Sequence, residues 1–240
     1  MVELCEYEAL RVRPNARLLM FQNWRDLTFL HFSCDPSEVQ PLIPPELTVD
    51  THDGKAWVGL VPFRMCGVRA PGLPALPWLS AFPETNVRTY VHCQSAKPGV
   101  WFFSLDAARW LACKAARMGM GLPYFHAQMS TRSEEGEQVY GSDRGGIRCD
   151  VRVRPGASFL ASPGSLDFFL VERYLLYSRF RGGLIRGQVH HVPYPLRRAE
   201  LLSCEEGMIS AAGLRCRPWE HVCYSEGVDV EIFRPEWVPI

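Results

Sequence analysis

The chain has 240 residues, 47% apolar and 22% charged, and its 26 basic and 26 acidic residues cancel to zero formal charge. Those values exclude a disordered chain, and they leave no overall field that would draw it to nucleic acid or to an anionic membrane surface. No apolar run approaches bilayer length and the first fourteen residues carry acids, so neither a spanning helix nor a signal peptide is expected.

In chain order, Asp26 to Ser33 is aromatic-rich and partly alternating, which predicts a strand. Asp35 and Pro36 then open a short helix as cap and first helical residue. Leu47 to Asp50 predicts a strand, and Asp53-Gly54 a tight turn, because that pair tolerates positive φ. Ala56 to Val68 returns as a long strand in which Pro62 implies an edge or a bulge. Pro71 to Pro83 mixes Pro with Leu, Trp and Phe, and is expected as a loop packed over the core.

Thr85 to Cys93 alternates as a strand, and Gly99 to Leu105 is a continuous apolar run that should be buried on both faces. A helix is expected over Asp106 to Met118, with Asp106 at its start as a cap. Tyr124 to Arg132, Gln138 to Asp143 and Ile147 to Arg154 predict successive antiparallel strands. Ser165 to Tyr174 predicts a helix, and Arg181-Gly182-Gly183 a hairpin between Leu175–Phe180 and Leu184–His191. Glu200 to Ser203 is ambiguous, and Val222 to Ile232 ends the chain as a strand or hairpin. The sum is about ten strands and two to four helices, an α+β chain that is mainly antiparallel β, with no internal repeat and no linker, expected as one domain over 1–240. Long antiparallel strands with few helices suggest a curved sheet or open barrel, which carries ligands in its mouth or interior.

The nine cysteines are odd in number, irregularly spaced and without a C-x-x-C pair, which points to reduced thiols in a cytoplasmic protein, with a structural disulfide as the minor alternative, and away from a metal knuckle. Adjacent His190 and His191 point to opposite faces of a strand and cannot share one ion in the usual way. His31, His92 and His126 fall on separate strands, and no spacing brings them together. No metal or cofactor is expected.

Several segments, in order, resemble the YqjF-like family of bacterial proteins: Trp24 to Phe32, Pro44 to Leu47, Asp53 to Phe63, Phe82 to Val91, Gly99 to Ala107, Leu122 to Tyr124 and Glu172 to Tyr177. That family is similar in fold to acetoacetate decarboxylase. The resemblance therefore implies an open, cone-like barrel with an internal pocket, and it makes self-assembly a plausible expectation, although no interface segment is identified. It also implies a comparison of chemistry. The decarboxylase uses one lysine to attack a ketone and an adjacent lysine to depress its pKa. The only lysines here are Lys55, Lys97 and Lys114, none adjacent, and the region expected to hold the pair reads Phe103-Ser104-Leu105-Asp106. An aspartate cannot form an imine.

Phe82-Pro83-Glu84 resembles the decarboxylase segment that ends in a pocket glutamate. On a strand, Glu84, Asn86 and Arg88 share one face, a row of acceptors and donors suited to a carboxylate or carbonyl ligand. Glu84 and Arg88 are the candidate catalytic pair, as acid or base and as anion clamp, and the two could pair with each other. Asn86, Tyr90, Trp101, Phe103, Asp106 and Tyr124 are the candidate ligand-binding residues. The same alternation also suits a solvated strand face, and Glu172-Arg173 suits a buried structural pair. Three functions stay open: a small-molecule-binding protein with no covalent chemistry, an acid/base enzyme acting on a carbonyl or carboxylate compound, and an interaction module with a filled core.

Overall fold

The computed structural model describes residues 2–76, 80–94 and 96–239. Fourteen strands among these residues join one mostly antiparallel sheet. The ones that build the site are β1 (Leu18–Cys34), β3 (Ala56–Arg69), β4 (Phe82–Cys93), β5 (Ala96–Ala107), β10 (Leu175–Phe180), β11 (Gly183–His190) and β13 (Trp219–Phe233). They hydrogen-bond in the order β11-β10-β5-β4-β3-β1-β13. Pairing of Val189 with Ile232 and of His190 with Glu231 joins β11 back to β13, so the path curls into a ring. The far half of β13 continues into β12 (Leu196–Glu206), then β9 (Ile147–Phe159), β8 (Glu137–Arg144) and β7 (Gln128–Glu134). The short β2 (Thr48–Val49) pairs with β4, β6 (Tyr124–His126) with β5, and β14 (Glu236–Trp237) with β11.

Alternation along the ring strands explains why both faces are buried. Phe29, Trp57, Val61 and Tyr90 fall in one apolar cluster, and their neighbours Leu30, Val58, Leu60 and Val91 fall in a second. That is why β3 reads as an apolar run with no clear period. Pro62 sits inside the ring on β3, where β1 carries a bulge. Six residues of β1, from Arg25 to Leu30, oppose five of β3, from Leu60 to Arg64, and Asp26 takes φ 54°. The expected bulge is present, on the partner strand; the alternative of an edge strand is not.

Turn chemistry behaves as its residues dictate. Asp53 and Gly54 take φ 51° and 74° in the tight turn before β3, and Arg181 and Gly182 take φ 46° and 85° between β10 and β11. The Asp35 side chain accepts from Ser37 N at 2.8 Å and caps α2 (Pro36–Val39), while Ser165 caps α4 (Leu166–Val171) through Phe168 N. An unexpected helix, α1 (Leu4–Leu10), buries Tyr7 and Leu10.

The helix expected from Asp106 starts later. It is α3 (Trp110–Met120), and Arg109 precedes it without a side-chain cap. Strand β5 simply continues through Asp106, which is held by the sheet and by an ion pair, so it caps nothing. Of the loop expected over Pro71 to Pro83, Pro77, Trp78 and Leu79 lie outside the described residues; Leu73 and Leu76 are exposed, against the expected packing. Cys34 and Cys216 form a disulfide across 182 residues of sequence, with Cα atoms 4.7 Å apart. This corrects the expectation of reduced thiols in favour of the alternative, a structural disulfide. The antiparallel pairing of β1 with β13 brings the end of one to the approach of the other, which no cysteine spacing reveals. No helix among the described residues is long and apolar enough to cross a membrane.

Candidate functional site

The ring encloses a chamber of about 1030 Å³. Strand β4 carries its polar line. Glu84, Asn86 and Arg88 lie opposite Phe63, Val61 and Gly59 of β3, and all three line the chamber. Most of the remaining wall is apolar, with Met65, Phe29, Leu105 and Ile232 among its residues, while Gln22, Arg69, Ser80, Arg234 and Glu236 add polar groups towards the mouth. The chamber is therefore an apolar hollow with one polar seam.

A bulge in β5 decides which of its residues look inward. Val87 opposes Ser104 and Arg88 opposes Phe102, so Phe103 has no partner on β4. One extra residue reverses the alternation beyond it. Phe102 and Leu105 consequently line the chamber, while the expected Trp101, Phe103 and Asp106 do not. Trp101 and Phe103 pack against the second apolar cluster. Asp106 is fully buried and takes an ion pair from Arg144 Nη1 at 3.0 Å. Burial pushes its carboxyl up to about 6, against the opposing pull of Arg144. Tyr90 also lies off the lining, beneath the chamber floor, with its ring 5.7 Å from the Arg88 guanidinium.

Glu84 is 2% exposed. Its two carboxylate oxygens lie 3.3 and 3.2 Å from the Tyr124 hydroxyl, which donates to them from β6. Burial drives its pKa up to about 8; the Tyr124 hydrogen bond opposes the rise, and nearby Asp106 adds to it. Glu84 is thus a protonated carboxylic acid at neutral pH. Tyr124→Phe removes the opposing bond, so the Glu84 carboxyl should titrate at still higher pH, read by carbon NMR of the labelled side chain; a downward move would refute that balance.

The expected Glu84–Arg88 pair does not form. Four strand residues separate their Cα atoms by about 13 Å, too far for contact along one face. Arg88, 8% exposed, donates through Nη2 to Leu170 O at 3.2 Å and lies over the Phe29 ring at 5.6 Å. No carboxylate comes within ion-pair distance of it among the described residues, and its Nε finds no hydrogen-bond partner there.

Behind the floor runs a buried polar relay that the sequence did not announce. Tyr90 OH meets His31 Nε2 at 2.7 Å, His31 Nδ1 meets His221 Nδ1 at 2.9 Å, and His221 Nε2 meets Asp167 Oδ1 at 2.8 Å. Burial holds His31 well below the usual histidine range, with His221 and Arg88 adding to the effect. It is therefore neutral, and one ring nitrogen donates while the other accepts. His31 converges with His221, not with His92 or His126. The three lysines take no part in the chamber: Lys55 pairs with Glu220, and Lys97 and Lys114 are exposed.

A ring-closing antiparallel sheet around an apolar chamber is the architecture of the acetoacetate decarboxylase-like fold. Solved structures agree: an acetoacetate decarboxylase superposes with TM-score 0.68 at 14% identity, over 95% of this chain and 91% of that one. The enduracididine biosynthesis enzyme MppR complexed with pyruvate does so with TM-score 0.66 at 12% identity, over 94% and 92%. Such identities speak for fold alone. The chain belongs to the DUF2071 family, described as an uncharacterized conserved protein, whose model matches residues 21–229. It is 40% identical over 191 residues to the uncharacterized protein YqjF of Bacillus subtilis (strain 168), 78% of each chain.

Proposed function

We propose that the chain binds an organic acid inside the ring, with the ligand's carboxylate on Arg88 and an oxygen further along it at Glu84. One observation carries the reading: a buried guanidinium faces a mostly apolar chamber, and no carboxylate among the described residues neutralises it. A buried cation normally finds an anion, and the bidentate fork of arginine fits a carboxylate. Asn86 stands between the two charged groups as an adaptable partner.

The fold relative MppR is complexed with pyruvate, so small keto acids are natural first probes of the anion site at Arg88, being too short to reach Glu84 at the same time. Titration calorimetry with pyruvate, acetoacetate and butyrate should detect binding that Arg88→Met weakens by about 2 kcal/mol or more, roughly thirtyfold. Equal affinity for the acid and its methyl ester would remove the anion site.

The protonated Glu84 favours a second step, acid/base chemistry on a bound carbonyl. A carboxylic acid with its pKa near 8 can give a proton to a carbonyl oxygen or take one from the neighbouring carbon near neutral pH. Deuterium exchange beside the carbonyl, followed by proton NMR, should depend on Glu84. No lysine lines the chamber, so this chemistry is not routed through an imine.

A further inference from the structure

We propose that the acid held in the chamber carries a long, unbranched apolar chain. This rests on the organic-acid reading above and supplies the other end of the ligand.

The chamber has a direction. Its mouth lies where β1 begins, β3 ends and β4 begins, at Leu19, Val68 and Phe82, and its floor lies at Phe29 and Arg88. From Phe82 to Arg88, β4 rises about 20 Å at ~3.3 Å per residue. An acid seated on Arg88 thus sits at the bottom of a deep hollow. A keto acid of a few carbons would leave most of the 1030 Å³ unfilled.

The wall above Arg88 offers few polar partners. Glu84 with Tyr124 and Asn86 form the seam, while Val61, Met65, Ile185 and Ile232 face the remainder. A polar ligand of this length would leave its own groups unpaired there, which is costly; methylenes would not.

The mouth makes the independent case. Leu19, Leu73, Leu76, Leu111 and Trp237 all line the chamber, and all are exposed, Leu73 at 62% and Trp237 at 57%. They carry apolar surface from the wall out into solvent. Of the charges at the same rim, Arg69 lies over the Phe21 ring at 4.8 Å and Glu236 pairs with Arg186, while Arg234 is exposed to solvent. An apolar chain rising from the floor would cover these side chains as it leaves. A short acid would gain nothing from them.

The test is a chain-length series on the wild-type protein. Butyrate, octanoate, dodecanoate and hexadecanoate are titrated by calorimetry below their micelle concentrations. Affinity should climb about fourfold per added methylene until the chain reaches the rim, the fold-change that corresponds to ~0.8 kcal/mol per buried CH₂. Methyl dodecanoate should bind at least tenfold more weakly than dodecanoate, and Arg88→Met should weaken dodecanoate equally. If all four acids bind alike, the apolar chain is wrong and the organic-acid reading stands. If none binds, the organic-acid reading itself fails. A steep length dependence that survives both Arg88→Met and esterification would place the head group elsewhere and overturn the proposal.

Discussion

Asp50→Ala is expected to lower the free energy of unfolding by about 3–5 kcal/mol, the cost of leaving one member of a buried ion pair alone. Asp50 Oδ2 accepts from Arg173 Nη1 at 2.8 Å and from Tyr7 OH at 2.6 Å, and the Asp50 and Arg173 side chains are each 1% exposed. Aromatic faces surround the Arg173 guanidinium: Phe169, Tyr7 and Tyr90 lie 4.3, 4.7 and 4.9 Å from it. Those rings and the Phe169 carbonyl are what remains to solvate the cation once its anion is gone. The same carboxylate ties the N-terminal helix, through Tyr7, to the turn after α4, so α1 should loosen with it. Urea unfolding should show a lower midpoint. Asp50→Ala combined with Arg173→Met should recover most of the loss, because the pair, and not either residue alone, sets the cost. A single variant within about 0.5 kcal/mol of wild type would mean that water reaches the guanidinium after all.

The sequence makes some levels of this structure readable and hides others, and the division follows the range of the interaction. Local chemistry is legible. Asp53-Gly54 and Arg181-Gly182 carry their own φ preferences, and Asp35 caps within two residues of itself. The period-two row at Glu84, Asn86 and Arg88 faces inward because alternation within one strand needs no knowledge of its neighbours. What depends on a neighbour fails. The bulge at Phe103 exists only relative to β4, and it turns Trp101 and Asp106 away while bringing Phe102 and Leu105 in. The start of α3 depended on whether β5 ended or continued, and Asp106 suits a cap and an ion pair equally well on paper. Partners distant in the chain are invisible altogether: Asp50 with Arg173, His31 with His221, Cys34 with Cys216. Glu172-Arg173 was readable as a site of buried charge, yet the two residues are bonded to different partners. Arg173 takes Asp50, and Glu172 lies 3.9 Å from Arg11 while accepting from Tyr174.

Glu84→Gln is expected to stabilise the fold by about 3 kcal/mol at pH 7, and the gain should carry a specific pH signature. The folded-state pKa of Glu84 is raised from 4.5 to about 8, chiefly by burial. Below pH 4.5 the acid is neutral in both states and adds no penalty. As pH rises from 4.5 to 8 the unfolded chain releases this proton and the folded chain keeps it. The unfolded state then binds fewer protons, and stability falls by ~1.4 kcal/mol per pH unit until the folded-state pKa is passed. Other groups overlap only the lower part of that window. Asp106, raised from 3.8 to about 6, acts in the same direction below pH 6. His31 and His191, held neutral by burial, act in the opposite direction below their ordinary value of 6.5. Between pH 6.5 and 8 the histidines contribute only the tail of their titration, which is common to the wild type and Glu84→Gln, so the gap between the two proteins should widen by about 2 kcal/mol across that interval. Gln keeps the shape and can still accept from Tyr124, but it has no proton to lose, so its profile should lack the Glu84 fall. Urea midpoints at half-unit steps through this interval measure both slopes. A constant gap between the wild-type and Glu84→Gln profiles would mean that the folded carboxyl ionises as readily as it does in water. It would then be no neutral acid at the chamber wall, and the proton chemistry assigned to it would have no source.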